Sequence, residues 1–224
     1  MKIDYNLQFN KNNKLQHFLN IENLTKDHIN EIIDLADKYI NSDSNKFRDL
    51  EGRTIASLFF EPSTRTKTTF ELASKRLSAD FINIDIANSS TLKGESILDM
   101  IKTLEAMQCD MFIVRHSSSG TPHYIAKEVG KKISIINAGD GIHAHPTQAM
   151  LDMYTIKKHK GNFENLNVSI VGDILHSRVA KSLISSLKIL SVKNINIIGP
   201  KNLMPENIKK LGVNYFSNLE NGIY

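Results

Sequence analysis

Arg53-Thr54-Ile55-Ala56-Ser57-Leu58-Phe59-Phe60-Glu61-Pro62-Ser63-Thr64-Arg65-Thr66 is the most informative run in the chain. Arg53 to Phe60 is a short, nearly continuous apolar stretch and reads as a buried strand. Glu61-Pro62-Ser63 then opens a helix that places Phe70, Ala73 and Leu77 on one face. On either side the same alternation continues. Upstream, Ile29, Ile32, Ile33, Ala36, Tyr39 and Ile40 recur at helical spacing, with Thr25 or Asp27 as a cap. Downstream, Ile82, Ile84 and Ile86 alternate with Asn83 and Asp85, a strand pattern. A polar loop, 88–95, leads to a helix carrying Ile97, Met100, Ile101 and Leu104. Met111–Val114 reads as a strand, Pro122 suits the first turn of a short helix, and Ile133–Ile136 reads as another strand.

Beyond Gly139-Asp140-Gly141 a helix from about Thr147 to Lys158 interrupts the series, which then resumes. Val168–Val171 and Ile195–Ile198 read as strands, separated by a helix lined by Val179, Leu183, Leu187 and Leu190. A helix near Pro205–Leu211 and a short strand at Val213–Phe216 follow. Strands alternating with helices predict an α/β protein. The expectation is two domains, each a parallel sheet flanked by helices, divided near 145 into 1–145 and 146–224.

Composition narrows the function. The longest apolar run, about Ile55 to Phe60 with Ser57 inside it, falls far short of the roughly 20 residues of a membrane span. Met1 to Asn10 is polar and lacks the apolar core of a secretion signal. Cys109 is the only cysteine, so no internal disulfide and no cysteine zinc cluster can form. The expected compartment is the cytoplasm. The net charge of +4 comes from basic residues interleaved with acids, and there is no tryptophan. That pattern speaks against a nucleic-acid surface and for a few arginines gathered around a small anion.

Local chemistry points the same way. Free N–H groups at a helix start bind anions, and Ser63, Thr64 and Thr66 add hydroxyls while Arg65 adds a planar fork suited to phosphate oxygens. A plain Ser/Thr cap beside a solvated arginine is the alternative on these residues alone. Arg115 follows an apolar strand, at the end where ligands bind in open α/β sheets, although a structural ion pair would explain it too. His143 and His145 have metal-like spacing, but Asp140 is the only carboxylate nearby, so His145 fits better as a donor to a carbonyl oxygen. Gly172 follows a strand without the Gly-x-Gly-x-x-Gly of a dinucleotide site.

Ser63-Thr64-Arg65-Thr66 with Phe70-Glu71, Arg115-His116, and His145-Pro146-Thr147-Gln148 resemble, in order, the motifs of the aspartate and ornithine carbamoyltransferase family. The resemblance implies a carbamoyl-phosphate domain (1–145) followed by an amino-acid-substrate domain (146–224), in a homotrimer with shared active sites. Ser89-Ser90-Thr91-Leu92-Lys93-Gly94-Glu95-Ser96 is similar to the mobile loop of the aspartate enzymes, which implies that Ser89 and Lys93 reach a neighbouring subunit's site. Ornithine enzymes lack that Lys-Gly-Glu pattern. Gly172-Asp173-Ile174-Leu175-His176-Ser177-Arg178 likewise resembles the aspartate enzymes, with Arg178 binding a carboxylate of aspartate.

The implied reaction transfers the carbamoyl group of carbamoyl phosphate to L-aspartate, in pyrimidine biosynthesis, with no metal or organic cofactor. Ser63, Thr64, Arg65 and Thr66 would hold the phosphate, with Arg115 and Lys93 sharing its charge. Thr66, Arg115 and His145 would stabilise the oxyanion, and Gln148 would orient the carbamoyl NH2. A regulatory chain or a dihydroorotase is a possible partner. Family chains continue past the position of Tyr224, so the second domain is expected to be incomplete. The alternatives are an ornithine carbamoyltransferase and a non-catalytic phosphate-binding assembly protein.

Overall fold

The structure, a computed structural model, describes residues 5–84, 86 and 96–223. The chain divides into two compact units. One draws on residues up to Asn20 and on Asn41–Gly141, the other on Ile21–Ile40 and on residues from Ile142 onward. The first helix, α1 (Lys26–Ile40), thus groups with the second unit, whereas a division at 145 placed it in the first. The reason is packing: α1 lies against a helix of the second unit and buries Ile29 and Ile33.

The first unit contains β1 (Thr54–Phe59), α2 (Thr64–Arg76), β2 (Asp80–Ile84), α3 (Ile97–Ala106), β3 (Met111–His116), α4 (Thr121–Glu128) and β4 (Ser134–Asp140). Among the described residues its strands form a parallel sheet in the order β2-β1-β3-β4. Successive strand side chains point to opposite faces, so each central strand feeds two cores. Ala56, Leu58, Phe112, Val114 and Ile135 join Ile101 and Ile125 on one face. Ile55, Ile113 and Ala138 pack on the other with Phe59, Phe70 and Phe81. Each fully buried Leu, Ile or Phe contributes about 1.5–3 kcal/mol. The N-terminal ends of the strands are clipped by Asp110, whose carboxylate accepts from Arg53 Nη1 at 2.7 Å and from the Thr54 N–H at 2.9 Å.

Three elements depart from their expected outlines. β2 begins at Asp80, and Ile82 is 42% exposed because the strand lies at the sheet edge; Phe81 on its opposite face meets the core instead. β3 extends through Arg115 and His116, so Arg115 lies within the strand. β4 runs on to Asp140, since buried Asn137 satisfies the local backbone, donating to the Leu19 carbonyl at 2.8 Å and accepting from the Gly139 N–H at 2.8 Å.

In the second unit α1 packs on α5 (Pro146–Lys160), where Lys157 pairs with Asp34 at 2.7 Å and the Tyr154 hydroxyl donates to Asp37 at 2.8 Å. β5 (Asn167–Val171), α6 (Arg178–Ile189), β6 (Asn194–Ile198), α7 (Ile208–Leu211), β7 (Asn214–Phe216) and α8 (Leu219–Gly222) follow. The strands are parallel in the order β5-β6-β7. Buried Asn196 joins them, accepting from Asn214 Nδ2 at 3.0 Å and donating to the Gly222 carbonyl at 3.1 Å. α6 buries Ala180, Ser182, Ile184, Ser186 and Leu187, while Val179 and Leu183 are only half-buried. Its inner face therefore includes small polar residues that the apolar pattern passed over, because α6 packs closely on α5. No helix among the described residues is long and apolar enough to cross a membrane.

Candidate active site

The C-terminal ends of β1 and β3 and the start of α2 come together in the first unit. Pro62 and Ser63 turn the chain out of β1 so that α2 begins at Thr64. Ser63 is the N-cap residue (φ −162°, ψ 82°), yet its side chain makes no capping bond. The first helical bond runs from the Lys67 N–H to the Ser63 carbonyl at 3.1 Å. Helix geometry leaves the N–H groups of Thr64, Arg65 and Thr66 pointing out of the helix end, where the dipole is positive. Thr64 and Arg65 are exposed, and Ser63 and Thr66 are half-buried. A cavity of about 450 Å³ opens beside this turn, lined by Phe60, Glu61, Ser63, Thr64 and Lys67 among others.

Arg115 is opposite Phe59 in the β1–β3 register, and its carbonyl accepts from the Phe60 N–H at 2.9 Å. Its side chain, only 15% exposed, donates from Nε to Glu61 Oε1 at 2.6 Å and from Nη1 to the Ala138 carbonyl at 3.4 Å. The two contacts fix the guanidinium plane, and N–H groups they do not use can donate to an anion. Glu61 is a residue that sequence reasoning missed, although an acid between an apolar strand and a Pro-Ser helix start was a visible signal. Lys67 was missed as well; it adds a half-buried cation to the cavity wall.

Other polar residues of this region serve the fold. Glu71 accepts from Lys75 at 2.7 Å and from Asn83 at 3.1 Å, and these two bonds, Lys75's first, hold its carboxyl below the usual range. Asp140 is fully buried and accepts from the Gly120 N–H at 2.7 Å and Asn137 Nδ2 at 3.0 Å.

In the second unit, α5 and α6 carry the remaining candidates. His145 is the buried N-cap of α5, with Pro146 in the first helical turn. Its N–H donates to Ser182 Oγ on α6 at 2.9 Å, and its Nδ1 lies 3.4 Å from Thr147 Oγ1. Gln148 donates through Nε2 to Asp152 at 2.9 Å. Burial raises the Asp152 carboxyl, against the opposing bond from Gln148. Arg178 is the first residue of α6, after Ser177, whose hydroxyl accepts from the Ala180 N–H at 3.1 Å. The preceding loop is tied by Asp173, which accepts from the His176 N–H at 3.0 Å; that bond, followed by the His176 ring, lowers the Asp173 carboxyl. The expected site residues thus form two groups, Ser63–Thr66 with Arg115 on one unit and His145, Gln148 and Arg178 on the other. Ser89 and Lys93 lie outside the described residues.

The chain is similar to known proteins over most of its length. A family profile described as "Aspartate/ornithine carbamoyltransferase, carbamoyl-P binding domain" matches residues 16–158. Among solved structures, the chain is similar to aspartate transcarbamoylase from Trypanosoma cruzi in complex with N-(phosphonacetyl)-L-aspartic acid, at 30% identity and a TM-score of 0.79, covering 89% of this chain and 65% of that one. The catalytic subunit of M. jannaschii aspartate transcarbamoylase matches at 33% identity and a TM-score of 0.80, covering 92% and 70%. The chain therefore spans about two thirds of the length of these relatives. With the profile covering more than half of its residues, the chain belongs to the aspartate/ornithine carbamoyltransferase family.

Proposed function

We propose that this polypeptide is a carbamoyltransferase of the aspartate type, moving the carbamoyl group of carbamoyl phosphate onto L-aspartate to give N-carbamoyl-L-aspartate and phosphate, a step of pyrimidine biosynthesis. The observation that carries the proposal is the open start of α2, with Ser63 free of a capping role, beside an Arg115 oriented by Glu61. Relatives crystallised with carbamoyl phosphate, aspartate and the phosphonacetyl analogue support the same substrates. The first unit would bind carbamoyl phosphate and the second would bind aspartate.

In this reading the neutral amino group of aspartate attacks the carbamoyl carbon and a C–N bond forms; the C–O bond to phosphate breaks, and the departing phosphate takes up the proton that the nitrogen loses. Ser63, Thr64, Arg65 and Thr66 hold the phosphate and Arg115 shares its charge. Thr66, Arg115 and His145 donate to the carbonyl oxygen as it gains negative charge. Gln148 accepts from the carbamoyl NH2, Arg178 binds an aspartate carboxylate, and Ser89 and Lys93 complete the site from a neighbouring subunit of a homotrimer.

A product assay with each amino acid tests the proposal. Carbamoyl aspartate formed from L-aspartate, with no citrulline from L-ornithine, is expected. Citrulline alone would move the chain to the ornithine branch, and phosphate binding without either product would leave a binding protein. Mixing Lys93→Ala with Arg65→Ala chains under subunit exchange should restore part of the activity. No recovery after verified exchange would refute the shared site.

A further inference from the structure

His116 closes β3 directly after Arg115 and has no role in the chemistry above, yet it is held from several directions. Its ring lies against Phe60, with centroids 4.8 Å apart and planes tilted by 48°. Its Nδ1 accepts from the Ser118 N–H at 2.8 Å, and its carbonyl accepts from the Gly141 N–H at 2.9 Å. Phe60 is the residue before Glu61, and the Phe60 N–H is bonded to the Arg115 carbonyl. The ring thus supports the same short stretch of chain from which Glu61 reaches Arg115.

We propose that His116 is a positioning residue for the anion site, its ring bracing Phe60 and, through it, the Glu61–Arg115 pair. The proposal rests on the phosphate-binding reading of the α2 start. Aromatic contact is directional, preferring tilted or offset rings 4.5–7 Å apart, so a ring here fixes the Phe60 backbone better than an aliphatic side chain would. The bond from Ser118 sets the tilt of the imidazole and makes Nδ1 the acceptor, which places the proton of the neutral ring on Nε2. Ser118 is exposed, so water can satisfy its N–H when the imidazole is replaced. Burial lowers the basicity of His116, against the opposing carboxylates of Glu61 and Asp140. The imidazole is therefore neutral at pH 7, and a second ring proton, gained in acid, would set an Nδ1–H against the Ser118 N–H and push the ring off Phe60, a repulsion that a phenyl ring in the same place does not create.

The test measures inorganic phosphate binding by calorimetry, expressed as the ratio of variant to parent affinity so that the titration of phosphate itself cancels. His116→Phe keeps a ring against Phe60 and cannot titrate. It should bind within about threefold of the parent at pH 8 and overtake the parent as the pH falls below the ordinary histidine range near 6.5. His116→Ala removes the brace and should lose about tenfold at pH 8, roughly the factor for one displaced hydrogen-bonding partner. Equal losses in the two variants, parental binding by His116→Ala, or a Phe-to-parent ratio independent of pH would each overturn the proposal. Arg65→Ala serves as the separate control. If that variant binds phosphate like the parent, the cradle itself is misplaced, whatever His116 does.

Discussion

Two helices of this chain start on a serine close to an arginine, and the two serines are used differently. At α6, Ser177 caps the helix in the ordinary way, its hydroxyl accepting the Ala180 N–H at 3.1 Å. At α2, Ser63 occupies the same position and makes no such bond. α3 is capped more fully still, with Ser96 and Asp99 satisfying each other's backbone N–H groups. A Ser-to-Ala change at a working cap costs about 1 kcal/mol. A helix start that forgoes this stabilisation, beside a cavity and an oriented arginine, is what the proposed phosphate site requires. The contrast separates groups committed to the fold from groups held ready for a ligand, and it can be broken experimentally.

The largest effect is expected at Arg65, on the uncommitted side. Arg65→Ala should lower kcat by about 10²–10³, the range for losing one transition-state donor, with little change in melting temperature. Activity within a few-fold of the parent would place Arg65 outside the site. The next effect belongs to a committed group. His17 is buried and accepts from the Ile135 N–H at 3.1 Å, and burial lowers its pKa from 6.5 to about 4. Between those values the unfolded chain binds a proton that the folded chain refuses. The stability contributed is complete above pH 6.5 and declines as pH falls toward 4, by about 3 kcal/mol in all. His17→Gln retains an acceptor and should flatten this part of the profile in denaturant titrations. An unchanged profile would show that other groups govern the acid limb.

The smaller effects set the two serines against each other. Ser177→Ala should cost about 1 kcal/mol, a melting shift of roughly 2–4 °C in a chain of this size, without touching phosphate affinity at α2. Ser63→Ala should do the reverse, weakening phosphate binding by about tenfold, the lower end for one hydrogen bond to a charged group, while leaving the melting temperature in place. If Ser63→Ala melts early and binds normally, the contrast between the helices disappears.

Local features were legible in the sequence and long-range ones were not. The strand and helix around Ser63–Thr66 could be read directly, because apolar run, turn residues and hydroxyls lie within 14 consecutive positions, 53–66. The partnership of Glu61 with Arg115 joins residues 54 apart and depends on which strands pair and in what register. The alternation at Ile82 marked a strand but not that its apolar residue would be exposed, because alternation reveals a face but not an edge. The inner face of α6 was incompletely read for a related reason: Ser182 looks like a surface residue until the His145 N–H at the start of α5 bonds its hydroxyl, and Ser186 is buried with its hydroxyl returned to the Ser182 carbonyl of its own helix. Helix α1 packs with the second unit although it precedes the first sheet, because contiguity in sequence says nothing about which neighbour buries Ile29 and Ile33.

The pairing pattern of the first sheet also has a kinetic consequence. β1 bonds to β2 and β3, and every bonded pair is parallel with a helix between its strands, so no hairpin is available as a starting point. The sheet must wait for encounters between distant segments, which places its folding among slow, high-contact-order topologies. Asp110 joins Arg53 and Thr54 to the start of β3 across that distance. Should this clip form before the rest of the sheet, its loss would slow refolding more than it speeds unfolding, and Asp110→Asn would then report the order in which the strands assemble.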